Sequence, residues 1–142
     1  MANNQKLQES FHNLLQSVIE QTKFETNVGE WAKVVRYDAT KHVADVQPLI
    51  SDDNGQDDGR IINECPVLYS AYGVDLLRKE IISKAKDAMK SIDLHPTMKV
   101  GATVYIVFNN RDMDNFTGKE FTKSTERMHD INDAVVIGVL EN

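Results

Sequence analysis

One run, residues 99–115 with the sequence KVGATVYIVFNNRDMDN, constrains the fold more than any other part of the chain. Gly101 releases a segment in which Val104, Ile106 and Phe108 alternate with Thr103, Tyr105 and Val107. Side chains therefore repeat with a period of two, and the residue types are strand formers. One face is wholly apolar and the other nearly so, which suits an interior strand of a small, closed or almost closed sheet rather than a solvent-washed edge. The run stops in Asn109, Asn110, Arg111, Asp112, Met113 and Asp114, whose short polar side chains bond their own backbone and favour a turn.

At the start of the chain Leu7, Phe11, Leu14, Leu15, Val18 and Ile19 recur at intervals of three and four, with Gln, Glu, Asn and Ser between them. This is the pattern of an amphipathic helix over about residues 6–22, capped by Asn3 or Asn4. The stripe has two possible uses: it covers the chain's own domain, or it meets copies of itself as the seam of a bundle. After a linker containing Asn27 and Gly29, residues 30–37 and 41–50 read as an antiparallel hairpin turned at Asp38, Ala39 and Thr40. Trp31, Val35 and Tyr37 are expected to share one face, continued by Ala44, Val46 and Ile50 on the partner strand. Pro48 lacks a backbone donor and is expected at a bend, a bulge or an edge.

Residues 61–68, with Ile61, Ile62, Cys65, Val67 and Leu68, suggest a third strand interrupted or edged by Pro66. Gly73 is followed by Val74, Leu77, Ile81, Ile82, Ala85, Ala88, Met89 and Ile92 at helical spacing, a second helix ending before Pro96. Its Arg78, Lys79, Lys84, Lys86 and Lys90 are interrupted by Glu80 and Asp87 and lack aromatic companions, so they read as solvated surface. A polar loop or hairpin then runs to Met128 with Phe116 and Phe121 as anchors, and residues 134–140 form the last strand.

A chain of 142 residues fits one domain and buries roughly two-thirds of its unfolded surface without disulfides or metal. Residues 1–28 form an N-terminal helix and linker, and residues 29–142 the domain proper, with a helical insertion at about 74–93. The formal charge of -6 disfavours non-specific binding to nucleic acid or to an anionic membrane. No segment approaches the roughly 20 apolar residues that cross a bilayer, and no apolar leader opens the chain, so stable membrane insertion is not expected and synthesis in a cytoplasm is.

Chemistry is sparse. Cys65 stands alone, and His12, His42, His95 and His129 are scattered without metal or catalytic spacing, so a buried structural thiol is expected. The acidic stretch SDDNGQDDGR at 51–60 and the 110–114 turn both fail the ligand pattern of a calcium loop. No phosphate-cradling glycine motif occurs. The expectation is no enzyme: no catalytic residue, no cofactor and no metal.

Setting the first helix aside, the order is strand, strand, strand, helix, strand, strand. This is an α+β chain, mainly β, whose order fits a five-stranded OB-fold Greek-key barrel with an N-terminal helix and a helix between strands three and four. OB folds that bind single-stranded nucleic acid use a basic groove and aromatic platforms on strands two and three; Val43, Asp45, Gln47 and Leu49 supply neither. Such a module remains the alternative function.

The pieces V-x-x-Y-D with D-V-Q-P-L, then C-P-V-L-Y-S, the strand leading into R-D-M-D, and H-D-x-x-D-A-V near the end carry a resemblance. In this order, over most of residues 29–140, the chain resembles the N-terminal OB-fold domain of the central-spike proteins of contractile-tailed bacteriophages. The resemblance implies a structural virion protein: a trimeric collar or adaptor in the tail baseplate, joining hub or tube to the spike, assembled in the host cytoplasm. Its implied partners are further copies of itself and other hub, tube or spike-tip proteins. The chain departs from the pattern by its inserted helix and by Gly101-Ala102 where Gly-Asp is usual. It also stops at Asn142 without a shaft or a His-x-His tip, so the expectation is a collar without the needle. Leu7, Phe11, Leu14 and Val18 on the first helix, with Leu77 and Ile81 on the second, are the candidate oligomer or hub interface.

Overall fold

The computed structural model describes residues 2–50, 60–85, 87 and 95–140. Within them the chain runs through helix α1 (Ala2–Glu25), strands β1 (Gly29–Asp38), β2 (Val43–Pro48) and β3 (Ile62–Pro66), helix α2 (Tyr69–Lys84), strand β4 (Thr103–Phe108), a short 3-10 turn (Ile131–Asp133) and strand β5 (Ala134–Leu140). The architecture is α+β: two helices and one antiparallel sheet ordered β3-β2-β1-β4-β5. The period-two run becomes β4, flanked by β1 on one side and β5 on the other. Its inward residues Val104, Ile106 and Phe108 are buried, as the alternation requires.

The concave face is lined by small and β-branched side chains, among them Ala32, Val34, Ala44, Val46, Val104, Ala134 and Val136. Small inward residues let neighbouring strands lean together, and bulges after Val34, Ala44 and Tyr105 add local bends. The sheet curls into a half-barrel. Its two edges approach where Val67, just past β3, makes a single parallel bridge to Val136 of β5, and the Leu68 N–H donates to the Val136 carbonyl at 3.0 Å. Pro66 closes the edge strand β3, and Pro48 ends β2 where the chain bends away.

Several expectations need correcting. Trp31 and Val35 do not share the face of Ala44 and Val46: they are exposed on the outer side, while Ala32 and Val34 point into the core. The bulge between Val34 and Arg36 shifts the register, so Tyr37 alone of the expected trio packs against the core. Ile50 is likewise exposed. Helix α1 already includes Asn3 and Asn4, so neither caps it. Helix α2 starts at Tyr69, before rather than after Gly73. Of its expected extent, residues 86 and 88–94 lie outside the described residues, as does most of the acidic loop, 51–59.

Candidate functional site

Helix α1 is the most unusual feature of the chain. From Asn3 to Lys23 every side chain is exposed, including Leu7 at 68% and Leu14 at 61%, and none of these residues joins the buried cluster. Helices in water draw most of their stability from packing an apolar face, and one left without a partner is marginal even at this length. Among the described residues the stripe from Leu7 to Ile19 does not cover the chain's own domain. Leu7, Phe11, Leu14 and Val18 follow a four-three-four spacing that lines one seam, with Leu15 and Ile19 widening it. At about 100° per residue, Lys6, Glu9, Glu20 and Lys23 all fall on the opposite half of the helix, and Gln8, Ser10, Ser17 and Thr22 border the stripe. When identical helices meet around an axis, a bordering charge faces its own copy; between Asn3 and Lys23 no charge borders the line of Leu7, Phe11, Leu14 and Val18.

Helix α2 is held at its start. Ala71 is buried, the Ser70 hydroxyl donates to the Ile137 carbonyl at 2.9 Å, and the Asp75 carboxylate accepts from the Thr97 N–H (2.8 Å), the Thr97 hydroxyl (3.0 Å) and the Met98 N–H (2.8 Å). This clamp has no signature in residue spacing, because 22 positions separate Asp75 from Thr97. Beyond it Val74, Leu76, Leu77 and Ile82 are exposed and Ile81 is half-buried. The two halves of the expected interface are thus not brought together: Leu77 and Ile81 lie on α2, whereas the α1 residues stand apart from the sheet and from α2. Between the β1–β2 turn, α2 and residues 96–100 lies a cavity of about 550 Å³. Tyr37, His42, Tyr72, Leu76 and Met98 line it, with the His42 and Tyr72 rings stacked at 3.9 Å.

The acidic corner after β4 is a structural knot. Asp112 is fully buried; its carboxylate accepts from the backbone N–H groups of Ser124 (3.0 Å) and Thr125 (2.9 Å) and from both hydroxyls. These donors, the Ser124 N–H first, hold it well below the usual carboxylate range. The Arg127 guanidinium bridges Asp114 and the buried Asp133, and Asp133 also accepts from the Met113 N–H at 3.1 Å. The R-D-M-D and H-D-x-x-D pieces therefore meet through one arginine. Every carboxylate in the corner is occupied by protein donors, and among the described residues no group of His, Cys, Asp or Glu could hold a metal ion. Cys65 is buried, its thiol donating to the Ile62 carbonyl, and burial pushes it up to about 12, which removes the thiolate a nucleophile needs. Among the described residues no helix is long and apolar enough to cross a membrane.

The outer face of the sheet carries one further feature. Trp31 of β1 and Tyr105 of β4, paired across the ladder, meet edge to face with ring centroids 5.0 Å apart. Gly29 permits this: a Cβ there would come within 2.7 Å of the Tyr105 hydroxyl.

No protein family matches this chain, and no curated protein matches it.

Proposed function

We propose that the chain is a structural, self-associating protein: a trimeric OB-fold collar or adaptor of a contractile phage tail baseplate, joining hub or tube to the central spike. The observation that carries the self-association is the unpartnered α1 stripe with its charge-free borders. Three further features support the reading. The sheet order β3-β2-β1-β4-β5, curled until Val67 bridges Val136, is compatible with an OB barrel. The motif pieces that carry the spike resemblance fall in the β1–β2 hairpin, the β3 edge and the Asp112–Asp133 knot, where they act as scaffold. The corner carboxylates of Asp112, Asp114 and Asp133 are all taken up by protein donors, which suits a structural corner.

Parallel α1 helices around a threefold axis would bury Leu7, Phe11, Leu14 and Val18 in successive layers. The exposed Val74 and Leu77 of α2 would then remain for hub, tube or spike-tip neighbours. Such a protein is built into the virion after assembly in the host cytoplasm. Electron microscopy of tails carrying a label on this chain tests the reading: density on the tail axis at the baseplate end is expected, and label elsewhere on the particle, or none, contradicts it.

The alternative of a single-stranded nucleic-acid module has the exposed Trp31, packed edge to face on the half-buried Tyr105, in its favour. That pair lies on β1 and β4 of a chain with a formal charge of -6. We expect no oligonucleotide binding at physiological salt. Binding that weakens steeply as salt rises would favour the alternative.

A further inference from the structure

An open groove of about 620 Å³ runs along the outer face of the sheet beside the Trp31–Tyr105 pair, with Leu49, Ile50 and Leu140 completing its walls. Trp31 is 47% exposed and Ile50 73%. These residues belong to the ends of four neighbouring strands, β2, β1, β4 and β5: the Leu49 N–H donates to the Trp31 carbonyl, and Leu140 sits opposite Thr103. The groove is thus a fixed part of the sheet. Exposed Trp31, Leu49, Ile50 and Leu140 around the half-buried Tyr105, with Glu30 and Thr103 as the polar members of the lining, have the composition of an interface centre with a polar rim.

We infer that this groove is filled by a second copy of the chain, as a sheet-to-sheet contact formed alongside the α1 seam. The inference rests on the self-association proposed above. Gly29, on the groove's rim, lies only four residues beyond Glu25, the end of α1, and four residues span at most roughly 14 Å. The junction is tied to the sheet: the Asn27 amide donates to the His129 carbonyl at 2.9 Å, and the Phe108 N–H to the Val28 carbonyl at 3.1 Å. Copies joined through α1 therefore carry their grooves close to the common axis. Residues 51–59, SDDNGQDDG, contain no apolar side chain that would match the groove's lining.

Trp31 is the only tryptophan, so its fluorescence reports on this groove alone. The full chain is measured at high concentration and on dilution, beside the full-length Leu14→Asp variant, with native mass recorded on the same samples and acrylamide as quencher. The expected result is quenching about threefold weaker in the assembled chain than in Leu14→Asp, with an emission maximum shifted to the blue. Ile50→Lys, at a position already open to water, is expected to weaken assembly roughly tenfold without changing the melting temperature. An assembled chain whose Trp31 is quenched as readily as in Leu14→Asp overturns the groove contact and leaves the helix seam standing. A chain that stays monomeric overturns both. Protection of Trp31 that persists in the diluted monomer shows that the chain fills its own groove, and also overturns the inference.

Discussion

Leu14→Asp abolishes self-association and leaves the sheet intact. In the isolated chain Leu14 is exposed, so an aspartate there meets water and costs the monomer almost nothing. In a seam of identical helices the same carboxylates converge in an apolar layer with no partner, and assembly weakens at least about a hundredfold. Native mass falls to that of one chain. Far-ultraviolet circular dichroism falls as well, because the 24-residue α1 loses the packing that holds it helical. The melting temperature of the sheet does not move, since Leu14 and the other described side chains of α1 lie outside the buried cluster. The reverse outcome, unchanged mass with reduced stability, would mean that the stripe covers its own domain.

Asp133→Ala acts on the opposite part of the molecule. Asp133 is 1% exposed and accepts from the Met113 N–H and from two nitrogens of Arg127, each at 2.7 Å. Truncation leaves the Met113 N–H without its acceptor and removes two charge-assisted bonds from Arg127, which keeps only Asp114, and this lowers stability by about 3 kcal/mol. For a chain of this size the melting temperature falls by roughly 10 °C. Calorimetry or thermal dichroism reads the effect, and a shift of only a degree or two would show that the knot is ornamental. The same corner sets an acid dependence. Asp112 in the folded chain titrates below its unfolded value of about 3.9, so its contribution is complete above that value and is lost as pH falls through it toward the folded one. Asp112→Asn removes this part of the acid loss and lowers stability at neutral pH.

Alternation alone located β4 and β5, because Val104, Ile106 and Phe108 on one strand and the apolar run at 134–140 leave little choice of period. It misplaced the faces of β1, because a bulge after Val34 shifts the register and leaves no mark in composition. Trp31 is expected on the face of Ala44 and Val46, yet Ala32 and Val34 occupy that buried face and Trp31 lies on the outer one. The α1 stripe was legible as apolar periodicity, but whether it packs at home or against a copy is a three-dimensional fact. Asp75 and Asp133 were not legible as anchors. Their donors are supplied by backbone amides and by Arg127, which converge only when the loops close.

The central claim is that α1 exists to join copies of this chain. A 24-residue helix in which Leu7, Phe11, Leu14, Leu15, Val18 and Ile19 all face water, with every charge between Asn3 and Lys23 on the far side, has no other described use in the fold. Sedimentation equilibrium of the purified full chain across a range of micromolar concentrations tests this most directly. The account predicts the mass of three chains, dissociating to one only on strong dilution; a single-chain mass throughout that range would contradict it.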